Sequence, residues 1–424
     1  MLRPLAGVLL LASSGLAARA GAEDAAETSY ETLAIPFPFY NESFGFAAGY
    51  VYGRAGWPEP QARVLGTVMA GTRGSGMLLL AGQDLRTPWL DRLFIDPFAS
   101  VGYFGEIESY INGNPEFPDQ DAGRNDSDED NFVSGEGFDN FVRVRFHYLL
   151  PIGHGRDEVL PRYDVIDGLA VGGFTGARSL NPLESGRSFV DLRPFYRSQE
   201  IDGDDLSTTI STNGLDLGLT WDNRDFPVNP ARGQSVTLGV SQDFGLFDSS
   251  DSWTVLQAEV DQYFQLDHLP RIRQAVVAVN AWTADTPSWD ERGDGRVDNR
   301  PPAYAGATLG GLWRMRAYPS QRFNDRAAIY YAAELRVVPE WNPFDAWPAF
   351  QDYADVEWLQ FVPFVELGRV APEWDLGTLH SSMKWGAGFG IRAWASGFVV
   401  RVDTALSEEG AQVQMMISQP FQFF

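Results

Sequence analysis

The chain has 424 residues, a net charge of −25 at pH 7 and no cysteine. Without cysteine it has no disulfides, thiol catalysis or cysteine-ligated metal, and its negative charge argues against a nucleic-acid partner, which requires a basic surface. Its 13 Trp, 15 Tyr, 29 Phe and 43 Gly favour a transmembrane β-barrel with aromatic girdles. Composition leaves one alternative open, a large secreted β-sandwich or lectin-like protein.

The first residues predict a secretory signal peptide over residues 1–22. A basic residue precedes an apolar run from Leu5 to Leu16, and small residues follow this run. The run is too short to cross a bilayer, and no later segment is continuously apolar for the length of a membrane helix. We expect a short periplasmic lead-in over residues 23–42 and a barrel over residues 43–424.

The remainder of the chain alternates between apolar and polar residues, as the strands of a barrel wall do. In FVRVRFHY, residues 141–148, every second residue from Val142 is apolar, and Arg143, Arg145 and His147 lie between them. The pattern predicts sixteen strands, near residues 43–53, 61–72, 76–85, 94–106, 137–150, 165–178, 188–199, 209–222, 234–244, 253–266, 272–284, 326–338, 358–369, 381–393, 398–407 and 411–421. The charged residues on the polar phase are expected to line the lumen: Arg143, Arg145, Glu334, Arg336, Lys384, Arg392 and Arg401.

The fold class predicted from this pattern is all-β, a closed transmembrane antiparallel barrel of about sixteen strands. Barrels of this class begin and end on the periplasmic side. Counting strands therefore predicts that the hairpin at 223–233 is periplasmic and that the segment from 286 to 325 is an outer loop. The same count predicts that the acidic run DQDAGRNDSDEDN, residues 119–131, lies in the periplasm. That run indicates either a calcium site or, because the regular spacing of calcium ligands is missing, a solvated loop.

Four segments of the C-terminal half resemble the barrel of the BamA/TamA superfamily, also called the bacterial surface antigen family. They follow the order of that family: GLTWDNRDFPVNPARGQSVTLGVS (218–241), LGG followed by WRMRAYPSQRFNDR (309–326), FVPFVELGRV (361–370) and the C-terminal segment that ends in Gln-Pro-Phe. The resemblance covers residues 214–424 well and the earlier part only by its strand pattern. It implies an outer-membrane barrel with one long loop folded into the lumen.

The resemblance also implies how that loop is held. In the family an arginine of the loop binds acidic side chains of the inner wall, and the matching residue here is Arg316. Glu366 and Asp403 lie on the polar phase of their strands, so we expect them to bind Arg316, with Tyr318 packed beside them. We call these four residues the plug-loop lock. The alternative is that Arg316 is a solvated loop cation.

The chain departs from the family in two respects. The glycine of the loop motif is Ala317 here, so a backbone position that tolerates positive φ is expected to be lost. We also expect the chain to lack the periplasmic polypeptide-transport-associated repeats, so that client capture requires another polypeptide or the seam between the first and last strands. Pro420 is expected to weaken pairing of the last strand.

The turn between two predicted strands carries a second set of polar residues. Its acidic and basic side chains, with two prolines and a glycine, favour a structural network that fixes a periplasmic hairpin. This hairpin network comprises Asp222, Arg224, Asp225, Arg232 and Gly233. The four histidines are scattered without a catalytic or metal-binding spacing. We therefore expect no enzyme activity, cofactor or metal.

The leading hypothesis is an integral outer-membrane protein of a Gram-negative cell that acts in membrane biogenesis, by insertion or translocation of protein or lipid. Its expected partners are outer-membrane lipid, lipopolysaccharide and a separate periplasmic partner or client protein. One alternative is a passive pore whose inward arginines favour anions. Another is a barrel enzyme that modifies lipids.

Overall fold

Sixteen antiparallel strands form the wall of a barrel in the computed structural model, which describes residues 30–41, 43–204, 206–266, 269–291, 297–348, 351 and 354–420. Their bounds are β1 Glu31–Asn41, β2 Gly45–Ala55, β3 Arg63–Gly71, β4 Gly76–Gln83, β5 Leu90–Ser109, β6 Val133–Leu149, β7 Arg187–Asp202, β8 Ser207–Asp222, β9 Gly233–Phe244, β10 Ser252–Gln265, β11 Ile272–Asp285, β12 Ala327–Pro339, β13 Val356–Ala371, β14 Lys384–Ala395, β15 Phe398–Ser407 and β16 Gly410–Ile417. Each wall strand pairs with the next one along the chain.

Shorter elements lie in the connections between wall strands. These are the strands Leu85–Thr87, Asp164–Ile166, Leu169–Gly172, Asp290–Glu291, Val297–Asp298, Ala307–Leu309 and Phe323–Asp325, the 3-10 turns Gly153–Arg156 and Pro343–Ala346, and the α-helical turn Leu376–Leu379. No helix in the described part of the chain is long and apolar enough to span a bilayer.

Alternation along each strand gives the wall an apolar outer surface. Leu217 and Leu219 of β8 are paired with Val240 and Leu238 of β9, and all four side chains are at least 40% exposed. Between them, inward residues such as Thr237 are buried. Exposed aliphatic residues outside and polar residues inside are typical of a wall between lipid and water. The predicted fold class, a transmembrane antiparallel barrel with a long loop in its lumen, is confirmed.

The barrel is nearly closed. Among the residues that the structure describes, no hydrogen-bonded ladder joins β1 to β16. The last residues turn inward instead, and the Gln419 side chain donates to Asn229 Oδ1 at 3.0 Å and accepts from Arg392 Nη1 at 2.5 Å. The first and last strands therefore border a seam without backbone pairing. Pro420 lies beyond the end of β16, so it removes no donor from that strand.

The structure corrects two of the predicted segments. Residues 31–41, which we assigned to a periplasmic lead-in, form β1 and pair along their whole length with β2. Residues 165–178 do not form a wall strand, because only a short hairpin of three and four residues occurs there. The two errors compensate, so the total of sixteen strands is unchanged. The predicted signal peptide over residues 1–22 lies outside the described residues.

The extra strand at the start moves one loop to the other end of the barrel. The connection from β5 to β6 contains the acidic run 119–131, and it lies at the same end as the connection from β11 to β12. The Asn324 backbone N–H donates to the Gly123 carbonyl oxygen at 2.8 Å, and Arg124 is ion-paired with Asp325. The prediction that this run lies at the end of the barrel opposite the 286–325 loop is therefore wrong. We call this end of the barrel the loop end and the other the turn end.

Candidate functional site

Residues 309–326, which we call the plug loop, enter the lumen through a compact turn. Gly310 and Gly311 have φ angles of 111° and 98°, and a Cβ atom on Gly310 would lie 2.2 Å from the Pro319 carbonyl oxygen. The Gly311 N–H donates to the Tyr318 carbonyl at 3.1 Å, which closes the turn. Only glycine fits such a backbone conformation and such an approach. The turn presents Arg316 to the inner wall.

Arg316 is completely buried and is bound by three carboxylates of the wall. Its Nε donates to Glu366 Oε1 at 3.0 Å, and its Nη1 donates to Asp403 Oδ2 at 2.8 Å. The same Nη1 lies 2.9 Å from Glu334 Oε1. The guanidinium carbon is 3.6 Å from the centre of the Phe364 ring. The structure thus brings together Arg316, Glu366 and Asp403, and Arg316 is not solvated.

The backbone of the plug loop is held at the same point. Glu366 Oε2 accepts the Arg316 backbone N–H at 2.7 Å, and the Gln414 side chain of β16 donates to the Arg316 carbonyl at 3.0 Å. Tyr330 donates its hydroxyl to Glu366 Oε1 at 2.5 Å. Hydrogen bonds to a charged partner are stronger than neutral ones, so this position of the loop is strongly defined.

Three further arginines extend the lock into a buried network of seven charged side chains. Glu334 binds Arg336 at 2.8 Å and Arg392 at 2.8 Å, and Asp403 binds Arg401 at 2.8 Å. The network comprises Arg316, Arg336, Arg392, Arg401, Glu334, Glu366 and Asp403, each at most 2% exposed. Burial by itself lowers the pKa of Arg316, but the carboxylates of Glu366, Glu334 and Asp403 raise that pKa well above its ordinary value. Arg316 therefore stays charged.

Tyr318 and Ala317 complete the contact of the plug loop with the last strands. Tyr318 is buried, donates its hydroxyl to the Trp385 carbonyl at 3.0 Å and packs edge-on against Phe323 at 5.0 Å. The Ala317 carbonyl accepts from the Ser407 hydroxyl at 3.1 Å. Ala317 itself does not adopt positive φ, because the loop places that conformation at Met315, with φ of 56°. The change from glycine to alanine is thus accommodated.

A second contact at the loop end was not predicted from the sequence. Arg322 is buried and donates to the Ser127 hydroxyl at 2.9 Å and to the Ser127 carbonyl at 2.7 Å. It also forms a bidentate pair with Glu409, with distances of 2.7 and 2.9 Å. The acids of the 119–131 run are exposed, whereas Ala122, Asn125 and Ser127 are buried. Uncharged residues that alternate with acids are the sequence pattern from which one could have predicted that one face of this loop packs against the protein.

The hairpin network lies at the turn end. Arg224 donates to both oxygens of Asp222 at 2.8 Å, and Asp225 accepts the Ala231 N–H at 3.0 Å. Gly233 has φ of 92° and cannot accept a Cβ, which would lie 2.0 Å from the Asn223 carbonyl. Arg232 contributes its carbonyl oxygen, which accepts the Asp225 N–H at 3.0 Å, while its side chain is exposed.

The predicted lumen-lining residues divide into two groups. Arg143 and Arg145 line the open part of the lumen, and Arg145 donates to Asp191 at 2.9 Å. Lys384 lies at the loop end and is ion-paired with Glu408. The others belong to the buried network and do not line that part of the lumen: Glu334, Arg336, Arg392 and Arg401.

One group of side chains could hold a cation. Asp84, Asp96 and His147 have ligand atoms within 4.8 Å of one another, and no other such group occurs in the part of the chain that the structure describes. These groups already bind each other, because His147 Nε2 is 3.2 Å from Asp96 and the Asp84 N–H donates to Asp96 at 2.6 Å. Arg145 is 4.0 Å from Asp96 and competes with a cation there. No such group forms among the described acids of 119–131.

No protein-family model matches the chain, and no curated protein matches it. BamA from Haemophilus ducreyi lacking POTRA domains 1–3 is similar with 12% identity and a TM-score of 0.41, over 92% of this chain and 69% of that one. CdiB from Acinetobacter baumannii is similar with 10% identity and a TM-score of 0.49, over 93% of this chain and 60% of that one. At these values the likeness assigns no activity, substrate or partner.

Proposed function

We propose that this chain is an integral protein of a Gram-negative outer membrane that acts in membrane biogenesis, by inserting or translocating protein or lipid. The plug loop and the seam between β1 and β16 are the working parts. The exposed aliphatic side chains of the wall support the location, because such a surface requires lipid. The proposal includes no catalytic step, and an assay for lipid hydrolysis that detected activity would contradict it.

The observation that carries the proposal is that the plug loop is bound to the last strands of the wall, including the seam strand β16. Arg316 contacts β12 through Glu334, β13 through Glu366 and β15 through Asp403, and its carbonyl accepts from Gln414 of the seam strand β16. Movement of β16 therefore changes the hydrogen bonds of the plug loop. The closure of the lumen and the state of the seam are linked by these contacts.

The seam also supplies a means of recognising a client. Unpaired edge strands present rows of N–H and C=O groups that can pair with a strand of another chain. Neither β1 nor β16 has a backbone partner on its seam side within the described residues. A client protein that forms strands, alone or delivered by a separate periplasmic partner, matches this edge. Membrane lipid and lipopolysaccharide would surround the seam.

A specific observation also favours the second candidate, a passive pore. Arg143 and Arg145 line an open cavity in the lumen, and inward arginines bias a pore toward anions. Planar-bilayer recording separates the candidates. An open pore gives large, steady conductance, whereas a barrel closed by the plug loop gives small and irregular conductance.

The proposed activity can be tested by bridging the seam. Leu33 of β1 and Ile417 of β16 pack in one apolar cluster, and the chain has no natural cysteine, so a Leu33→Cys, Ile417→Cys variant carries one unique thiol pair. The variant is reconstituted in liposomes, with and without a bismaleimide bridge. Insertion of an unfolded eight-stranded barrel client is then followed by protection from protease.

We expect the unbridged protein to accelerate client insertion over empty liposomes and the bridged protein to lose this effect. A Leu33→Cys single variant treated with the same reagent is the matched control and should remain active. Absence of acceleration by any form would refute the insertion proposal. Equal acceleration by bridged and unbridged protein would show that the seam is not the route.

A further inference from the structure

Over three successive rows, the inner face of the first five strands is largely apolar, which is unusual for a barrel lumen. Directly paired residues of antiparallel strands share one face, so rows across the wall can be read from the register. One row joins Phe37, Gly49, Met69, Met77 and Gly102 across β1 to β5. The next rows on the same face contain Ile35, Val51, Thr67, Leu79 and Ser100, and Gly53, Leu65, Ala81 and Phe98.

The outer face of the same strands is apolar as well. The outward row between these rows contains Tyr50, Val68, Leu78 and Val101, which are 45%, 54%, 47% and 53% exposed. On the opposite side of the barrel the inner face is polar, since Thr220, Thr237 and Glu259 form one inward row across β8 to β10. The lumen thus has an apolar half and a polar half.

A cavity of about 780 Å³ occupies the lumen between these halves. The apolar side is lined by inward residues such as Phe37, Leu65, Met69 and Leu79, and the plug loop contributes Leu312 and Trp313. This volume lies within the range of about 300–1,000 Å³ that is common for ligand sites. An apolar cavity of this size favours a hydrocarbon ligand over water.

The cavity extends to the seam. Its lining includes Gln412 and Gln414, which face the lumen, and also Val413 and Met415, which alternate with them on the outward face of β16. Val413 is 54% exposed on that outer face. Successive residues of the seam strand therefore border the cavity, which places one side of the cavity at the unpaired edge of the wall.

The polar side of the cavity carries both charges in equal number. Four arginines and four acids line it: Arg143, Arg145, Arg193, Arg224, Asp96, Glu108, Glu259 and Asp261. Three of these arginines are already ion-paired with wall acids, Arg145 with Asp191, Arg193 with Asp216 and Arg224 with Asp222. The polar side therefore carries little excess positive charge, and it complements a headgroup with a phosphate and an ammonium group better than a purely anionic one. The cavity therefore has an apolar side that suits an acyl chain and a polar side that suits a zwitterionic headgroup.

We propose that the lumen binds a zwitterionic phospholipid that enters through the seam. An acyl chain lies against the apolar rows of β1 to β5, and the headgroup lies among the arginines and acids of β5 to β10. This inference rests on the membrane location in the proposed function and not on insertion of a client. Loss of insertion activity would therefore leave it standing.

Photolabelling tests the proposal with an internal control. The full chain is reconstituted in phosphatidylcholine that contains a trace of phosphatidylcholine with a diazirine in its acyl chain, and labelled residues are located by mass spectrometry. Membrane lipid should label the outward Val68 and Leu78. Lipid in the cavity should also label the inward Met69 and Leu79, which are their direct neighbours in the chain. Labelling of outward residues alone would overturn the inference, and no outward labelling would overturn the membrane location.

Two variants test where the lipid lies and how it enters. Leu79→Glu places a carboxylate against the acyl chain and should reduce labelling of Met69 about tenfold, because an unpaired charge is costly beside hydrocarbon. Gln265→Glu, at the exposed turn end of β10 and outside the cavity lining, is the matched control and should leave that labelling unchanged. Should Leu79→Glu not fold, the bridged Leu33→Cys, Ile417→Cys barrel decides, since it should lose inward labelling and keep outward labelling.

The headgroup is tested by replacing the probe. Phosphatidylglycerol with the same diazirine should label the inward residues several-fold less than phosphatidylcholine at equal outward labelling. Equal inward labelling by both probes would overturn the assignment of a zwitterionic headgroup. Inward labelling that persists in the bridged barrel, prepared by bridging before the probe is added, would overturn entry through the seam.

Discussion

Glu366 binds Arg316 through both carboxylate oxygens. One oxygen accepts from the Arg316 guanidinium, and the other accepts from the Arg316 backbone N–H. Oε1 accepts from Nε at 3.0 Å, and Oε2 accepts from the Arg316 backbone N–H at 2.7 Å. One carboxylate therefore defines both the direction of the guanidinium and the path of the plug loop. The loop cannot move away from the wall without breaking both bonds.

Replacing Arg316 should release the plug loop. Arg316→Ala leaves the carboxylates of Glu334, Glu366 and Asp403 in a buried site with fewer cations, and breaking a buried ion pair costs roughly 3–5 kcal/mol. We expect a lower unfolding temperature, measured by heat-dependent gel mobility, and a higher single-channel conductance. Arg316→Lys should be intermediate, because lysine keeps the charge but lacks the planar fork. Arg326→Ala is the control, since Arg326 is 37% exposed and 3.9 Å from Asp285. Wild-type stability and conductance in Arg316→Ala would contradict the lock.

Glu334 should be the most sensitive acid of the buried network. It contacts Arg316, Arg336 and Arg392, so Glu334→Gln leaves four guanidinium groups with two carboxylates. We expect a large loss of stability, part of which Arg392→Met in the same chain restores. The coupling between the two sites should be about 0.5–3 kcal/mol in a double-mutant cycle measured by denaturant unfolding. Additive effects would show that the two side chains do not act together.

The contact between Gly386 and Ala317 predicts a rescue experiment. A Cβ atom on Gly386 would lie 2.9 Å from the Ala317 Cβ, which is too close for two methyl groups. Gly386→Ala should therefore displace the plug loop and destabilise the barrel by about 1–3 kcal/mol. Adding Ala317→Gly removes the opposing methyl and should recover stability. Gly76→Ala, whose Cβ would meet its nearest neighbour at 3.6 Å, is the control, and failure of the rescue would contradict the contact.

Acidification should loosen the connection between β6 and β7. The Gly186 N–H donates to His154 Nδ1 at 3.1 Å. This hydrogen bond requires that Nδ1 carries no proton, so the imidazole must be neutral. Burial and the charge of Arg178 lower the pKa of His154 below its ordinary value of 6.5. The stability that this group contributes is therefore present above pH 6.5 and is lost as the pH falls through the lower folded pKa. The hydrogen-exchange protection factor of Gly186 should fall from pH 7.5 to pH 5, and in His154→Gln it should not change with pH.

The buried Arg322 predicts how the loop end is closed. Arg322→Gln removes the bonds to Ser127 and the bidentate pair with Glu409, so the 119–131 run should detach from the plug loop. We expect faster proteolysis within this run and more frequent conductance events. The exposed Arg162, which is 3.6 Å from Glu158 at the turn end, offers the control Arg162→Gln. Unchanged proteolysis in Arg322→Gln would show that the run docks by other contacts.

The first strand shows why a sequence pattern can miss a wall strand. Pro36 and Pro38 lie within β1, and proline argues against a strand because it cannot donate to a ladder. Here the strand borders the seam and needs a partner on one side only. An edge strand tolerates proline residues that a central strand does not, but the sequence does not reveal which strand is at the edge.

The segment 165–178 shows the opposite error. Val165 and Val171 suggested a wall strand, but Asp167 and Gly168 have φ angles of 45° and 67° and form a tight hairpin turn between them. An Asp-Gly pair between apolar residues is a strong hairpin signal, and it was available in the sequence. The resulting strands of three and four residues are too short to cross a membrane.

Two of the acids that bind Arg316 could be predicted from the sequence, but the full membership of the buried network could not. The inward phase of Glu366 and Asp403 and the resemblance of the loop were sufficient to pair them with Arg316. Glu334 was assigned only to the lumen lining, although it binds three arginines. Phase along a strand tells which face a residue occupies, whereas its height in the barrel depends on the stagger of all strands. That stagger emerges only when the wall is assembled.

The two-sided apolar wall of β1 to β5 has a consequence for how the barrel folds. A slip of one residue moves every side chain to the opposite face. In the polar half such a slip would place Glu259 in lipid, whereas in β1 to β5 it would exchange one apolar row for another. In these three rows the hydrophobic pattern therefore selects the alignment only weakly. We expect β6 to β15 to fold first and serve as the template on which the first strands find their register.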